Sequence, residues 1–114
     1  MQTQFRVEVL EHAGGAVVAL SGELDLASSP ALEEAFDRVF ASEAEVVVID
    51  LRKLDFMDST GLSVIVKAQQ TVEDRGVRLY VINGPAQVER LLSLTGVAER
   101  VSFVDSVEDV LGGS

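Results

Sequence analysis

Val46-Val47-Val48-Ile49-Asp50-Leu51, followed shortly by Phe56-Met57-Asp58-Ser59-Thr60-Gly61-Leu62, joins an apolar run to a helical pattern, and its reading decides the fold. The first run is short, β-branched and almost wholly apolar, the signature of a strand buried on both faces. Downstream, Leu62, Ile65, Val66, Gln69 and Val72 recur at helical intervals, and Gly76 stands where a left-handed residue ends a helix. Ser59 therefore falls at a helix N-terminus or within one residue of it. Such a terminus exposes unpaired N–H groups and the positive end of the macrodipole, so it accepts a capping oxygen or an anion. Asp, Ser and Thr are all good caps, and residue chemistry alone favours capping over a functional hydroxyl.

Working outward, residues 5–10 alternate as Phe5, Val7 and Val9 against Arg6, Glu8 and Leu10, which predicts a half-exposed edge strand. His12-Ala13-Gly14-Gly15 reads as a turn, and residues 16–20 as a second, more apolar strand completing a hairpin. A helix follows, with Ser29 as N-cap, Pro30 at the first helical position, and Leu32, Ala35, Phe36, Val39 and Phe40 on its inner face. Glu33, Glu34, Asp37 and Arg38 form its solvated face. Residues 77–82 predict another strand, and Asn83-Gly84-Pro85 introduces a helix with Val88, Leu91, Leu92 and Thr95 inward and Gly96 as its stop. Residues 101–104 read as a last strand, and Asp105-Ser106-Val107-Glu108 as a capping box for a terminal helix ending near Leu111. A hairpin followed by alternating strands and helices implies a mixed, mostly parallel α/β sheet of four to five strands with about four helices.

The chain has 114 residues, enough for one domain that buries roughly two-thirds of its unfolded surface. Residues 1–4 and 112–114 are expected to be flexible ends. Without cysteine there is neither a disulfide framework nor a thiolate metal site. The absence of a leader pattern and of an apolar run near eighteen residues predicts a soluble, cytoplasmic protein. Nine basic against nineteen acidic residues give a formal charge of −10, which disfavours nucleic acid and anionic membrane as partners.

Catalytic readings are poor. The single histidine, His12, sits beside a glycine turn, so one chain cannot assemble a His-based triad or a His/Cys metal site. Gly14-Gly15 and Gly112-Gly113 lack the spacing and lysine of a phosphate-binding loop. Asp50, Asp55 and Asp58 are close in sequence but lack the ligand spacing of a calcium loop. Asp50 at a strand end invites comparison with a phosphoacceptor aspartate, yet such a site also needs an acidic pair after the first strand and a lysine after a late one. The only lysines, Lys53 and Lys67, lie elsewhere. No cofactor or metal is expected.

The segment Phe56-Met57-Asp58-Ser59-Thr60-Gly61-Leu62-Ser63-Val64-Ile65, taken with Leu20-Ser21-Gly22-Glu23-Leu24-Asp25 upstream, resembles the bacterial anti-sigma factor antagonists, small single-domain proteins of the STAS family. Their pattern has a strand ending in Gly-Glu-Leu-Asp and, later, Asp-Ser-Ser/Thr-Gly-Leu opening a helix. The resemblance runs from about Phe5 to Leu111 and implies a single STAS domain over residues 1–114.

It further implies a partner and a switch. In such antagonists the serine after the Asp, here Ser59, is phosphorylated by the anti-sigma factor itself, an ATP-dependent serine kinase, with Thr60 a minor alternative acceptor. The unphosphorylated protein binds the kinase and frees the sigma factor, the phosphorylated one lets go, and a metal-dependent phosphatase of the PP2C type resets it. Partner contact is expected at Asp58, Thr60, Gly61, Ser63 and Val64, a first-turn structural role being the competing reading for Thr60; the family's fold implies that Glu23 and Asp25 flank the phosphosite loop, a solvated strand-end turn being their competing reading. Asp58 either caps the helix or positions the hydroxyl. Gly61 admits a partner's backbone or packs tightly within the fold. Val64 lies off the apolar stripe and is expected as an exposed apolar contact, core burial being the competing reading. Members often carry Gly where this chain has Ser63, a difference that bears on which kinase docks. The alternative is a stand-alone STAS subunit of a membrane transporter or signalling assembly without a phosphoswitch.

Overall fold

The structure, a computed structural model, describes residues 4–12 and 14–111. The expected flexible ends, apart from Gln4, and Ala13 of the first turn lie outside the described residues.

Strands β1 (Arg6–His12) and β2 (Gly15–Leu24) form the antiparallel hairpin. Helix α1 (Ser29–Ala41) leads to β3 (Val46–Met57), α2 (Ser59–Arg75) to β4 (Arg78–Ile82), and α3 (Ala86–Leu94) through a 3₁₀ turn (Val97–Glu99) to β5 (Ser102–Phe103) and α4 (Glu108–Leu111). The sheet order is β1-β2-β3-β4-β5, and every pairing after the hairpin is parallel. The described residues thus form a mixed α/β sheet of five strands with four α-helices, as the sequence predicts.

Strand alternation sorts the core onto two faces. Ala16, Val18 and Leu20 of β2 and Val47, Ile49 and Leu51 of β3 meet Leu32, Phe36 and Val39 of α1, Leu62, Ile65 and Val72 of α2, and Val88 and Leu92 of α3. Val17, Val48 and Ile82 face the other way and are covered by Val107, Val110 and Leu111. β3 is buried on both faces over its first half, which is why that run lacks polar alternation.

Several local expectations are corrected. The N-cap of α1 is Ser28, not Ser29, which puts Pro30 one position further into the first turn. Ser29 is instead the first helical residue, its hydroxyl donating to the Asp25 carbonyl at 2.7 Å. Thr95 does not point inward: it is exposed and its hydroxyl donates back to the Leu91 carbonyl at 2.8 Å. At the start of α4 the acid that reaches back is Asp109, not Glu108, accepting from the Asp105 and Ser106 amides at 3.2 Å each. Gly76 and Gly96 do stop α2 and α3 with left-handed backbones, as read.

Candidate functional site

β3 runs six residues beyond the apolar stretch that announces it, and this extension places the site. Its last residues pair only with β2, Glu23 opposite Phe56 and Leu24 opposite Met57. Just before this pairing the register shifts, Gly22 standing opposite Leu54 and Glu23 opposite Phe56, so that β3 bulges by one residue at Asp55; Gly22 there has φ 85° and Gln4 O 2.3 Å from where a Cβ would stand. The Gly-Glu-Leu-Asp and Asp-Ser-Thr-Gly segments, more than thirty residues apart in sequence, are thereby side by side.

Asp58 ends the strand in an extended conformation, its N–H donating to the Leu24 carbonyl at 3.0 Å. Its Oδ1 accepts from the Gly61 N–H at 3.0 Å, and its carbonyl accepts from Leu62 N–H at 3.0 Å. Asp58 is thus the N-cap of α2 and Ser59 the first helical residue. Ser59 is exposed, Thr60 and Asp58 are half-buried, and among the described residues the Ser59 hydroxyl has no hydrogen-bond partner. Ser63, one turn on and exposed, donates its hydroxyl to the Ser59 carbonyl at 2.9 Å.

Gly61 packs tightly: a Cβ there would lie 2.5 Å from Leu24 Cγ and 3.2 Å from the Leu24 carbonyl oxygen. Val64 is corrected. At 7% exposure it belongs to the core, so an exposed contact from it is withdrawn. α2 packs on the sheet and on α1 at once, and the wider buried arc takes in Val64 and Ala68 while leaving Val66 half-buried.

Glu23 and Asp25 flank the junction through the backbone. The Asp25 carboxylate is spent on its own turn, accepting from Ser28 N–H at 3.1 Å and Ser28 Oγ at 3.0 Å, while Asp25 N–H donates to Ser28 Oγ at 2.8 Å. The Glu23 carbonyl, also 3.0 Å from the Ser28 hydroxyl, is the alternative acceptor for its one proton. Ser28 escaped the sequence reading, although Asp25-x-x-Ser28 is a side-chain turn pattern. Gln87 escaped it too: at the start of α3, its Nε2 donates to Met57 O at 2.8 Å and its Oε1 accepts from Met57 N–H at 3.1 Å. An exposed polar residue thirty positions away carries no sequence signal of such a contact.

Asp50, the aspartate weighed as a phosphoacceptor, is occupied elsewhere in an ion pair with Arg52 at 2.8 Å. Burial pushes its carboxyl up, but the Arg52 side-chain and backbone hydrogen bonds and the charges of Arg52 and Lys53 outweigh this and hold it below its ordinary value. Among the described residues no three His, Asp or Glu side chains converge as metal ligands. The hollow of about 310 Å³ between α1 and α2 is lined by Phe36, Phe40, Val64 and Lys67 rather than by Ser59.

The fold and this junction define a small α/β domain that presents an exposed serine at the start of a capped helix, on its surface rather than in a pocket. The chain belongs to the STAS domain family, whose profile matches residues 5–110. It is 31% identical over 107 residues to the anti-sigma-F factor antagonist RsfB of Mycobacterium tuberculosis, covering 94% of this chain and 87% of that one. The crystal structure of an anti-sigma factor antagonist from Mycobacterium paratuberculosis superposes with a TM-score of 0.80 at 28% identity, covering 96% of this chain and 92% of the other. SpoIIAA, a Bacillus cell fate determinant, shares the fold in its unphosphorylated form (TM-score 0.77, 19% identity, 97% and 99% covered) and its phosphorylated form (0.73, 18%, 96% and 97%). Among the described residues no helix is long and apolar enough to cross a membrane.

Proposed function

We propose that this protein is a cytoplasmic anti-sigma factor antagonist whose binding to an anti-sigma factor serine kinase is switched off by phosphorylation of Ser59. The observation that carries the reading is the exposed Ser59 hydroxyl at the first position of α2, beside the Asp58 cap. The name borne by RsfB and the existence of SpoIIAA, of the same fold, in a phosphorylated form support it. In the transfer, Ser59 Oγ forms a bond to the γ-phosphorus of ATP held by the kinase. The bond to the bridging oxygen breaks, ADP leaves, and the hydroxyl proton passes to a base on the kinase. Phosphorylation adds about −1.5 to −2 charges, which inside a docked interface next to Asp58 brings like-charge repulsion and a desolvation cost. A loss of about 2.7 kcal/mol weakens binding roughly a hundredfold. A PP2C-type phosphatase removes the phosphate and restores binding.

The test is a pull-down of the anti-sigma factor kinase with and without ATP, followed by phosphosite mapping. One phosphate is expected on Ser59, and Ser59→Ala should bind the kinase and stay bound when ATP is added. A phosphate found wholly on Thr60 overturns the assignment, and a chain that never binds the kinase overturns the function.

A further inference from the structure

In a β-strand the N–H and C=O of one residue point to the same edge, and those of the next residue to the opposite edge. β4 pairs with β3 only as far as Ile82 opposite Asp50, so among the described residues the later part of β3 has no strand on that side. The chain leaves β4 through Asn83 and Gly84, and Gly84 crosses so close to β3 that a Cβ would lie 2.4 Å from the Leu51 carbonyl oxygen. This approach brings the first turn of α3 alongside the end of β3. There one side-chain amide does the work of the missing strand: Gln87 pairs with both the N–H and the C=O of Met57. On the opposite edge Asp58 N–H is held by Leu24 O. The two residues that precede Ser59 are therefore pinned from both sides, one by the sheet and one by a solvent-exposed glutamine.

We propose that Gln87 is a positioning residue for Ser59, fixing the strand-to-helix junction so that the hydroxyl meets the γ-phosphorus of a docked kinase in line. This rests on the phosphoswitch reading above. Gln87 touches no reacting atom; it acts through the backbone of Met57 on the orientation of the acceptor. Misplacing a nucleophile lowers the rate of transfer more than it weakens docking. The amide chemistry is specific. A carboxylate at this position still accepts from Met57 N–H but opposes the Met57 carbonyl with an oxygen, and alanine does neither.

The experiment measures phosphorylation of the full chain by the anti-sigma factor kinase for wild type, Gln87→Ala and Gln87→Glu, with Arg90→Ala on the same helix as control. Gln87→Ala is expected to lower kcat about tenfold with KM changed less than about twofold, and Gln87→Glu to lower kcat as well. Amide exchange read by NMR supplies a second signature: Met57 N–H should exchange about tenfold faster in Gln87→Ala, as for one lost hydrogen bond, and stay protected in Gln87→Glu. A folded Gln87→Ala phosphorylated within about twofold of the wild-type kcat overturns the positioning role, as does unchanged exchange at Met57. Should wild type itself take no phosphate on Ser59, the switch and the positioning role fall together. Rapid phosphorylation of both wild type and Gln87→Ala sinks the second alone.

Discussion

Replacing Asp58 by alanine separates the two roles open to this carboxylate. The side chain supplies one 3.0 Å hydrogen bond to Gly61 N–H from a half-buried position at the start of a seventeen-residue helix. Losing an N-cap of this kind costs about 0.5–2 kcal/mol, and a half-buried acceptor belongs in the upper part of that range, about 1.5 kcal/mol. For a domain of this size that is a fall in Tm of about 6 °C. Asp58→Asn keeps an oxygen at the same place, and asparagine caps about as well as aspartate, so its Tm should stay within about 2 °C of wild type. Thermal and urea unfolding followed by circular dichroism measure both variants. A Tm for Asp58→Ala within about 1 °C of wild type would refute the capping argument outright. The same pair of proteins then addresses the second role. If Asp58→Asn is as stable as wild type but is phosphorylated more slowly, the charge of the carboxylate acts on the hydroxyl in addition to the cap. Equal rates leave the cap as its whole contribution.

Gly61→Ala tests the packing beneath the site. Alanine gains about 1 kcal/mol of helix propensity, but its Cβ would stand 2.5 Å from Cγ of the fully buried Leu24, and overpacking of this kind costs about 1–3 kcal/mol. A net loss near 1 kcal/mol is expected in urea unfolding, and a stabilised variant counts against the close contact. Glu43, at φ 63°, is the one non-glycine residue among those described with a left-handed backbone. Glu43→Gly should therefore stabilise the chain by about 0.5 kcal/mol, and a lowered urea midpoint contradicts this. The Asp50–Arg52 pair gives a pH dependence. With the Asp50 carboxyl held below its ordinary 3.8, the unfolded chain binds the proton first, so the pair's stabilisation is full above that value and lost as pH falls through the folded one. Wild type should exceed Arg52→Ala in stability at neutral pH, with the difference vanishing in acid. A gap that persists below the folded carboxyl pKa argues against the pair as its source.

The first half of β3 was legible because burial on both faces writes an unbroken apolar run, and α2 because its stripe and its glycine stop are both local features. The second half of β3 was not legible. Arg52, Lys53, Asp55 and Phe56 are exposed, and the strand there is held by register with β2. Val64 was misplaced because a single stripe assumes a single packing surface, whereas α2 contacts both the sheet and α1. The position of Ser59 was readable to within one residue from the run of capping chemistry at Asp58-Ser59-Thr60. What fixes it there, Leu24 O on one side and Gln87 on the other, depends on pairings across more than thirty and thirty residues respectively, and no periodicity records them.

The coupling of cap and acceptor in adjacent residues has a physical consequence for the proposed switch. Of the four first-turn amides of α2, Gly61 N–H goes to Asp58 Oδ1 and Leu62 N–H to Asp58 O, so among the described residues the Ser59 and Thr60 amides remain the open donors at the positive end of the dipole. In the free protein a phosphate on Ser59 meets these donors in water, and solvent screens its repulsion from Asp58. In a docked complex the same phosphate and the same carboxylate share an interface from which water is excluded, where repulsion is stronger and desolvation is added. One covalent change thus bears lightly on the free state and heavily on the bound one. Only that difference sets the change in affinity, since a perturbation equal in both states shifts nothing. A rigid junction sharpens the difference further. With Met57 and Asp58 pinned on opposite edges, bending of the strand is a costly way to part the phosphate from the carboxylate, which leaves rotation of the Ser59 side chain and release of the partner as the routes of relief.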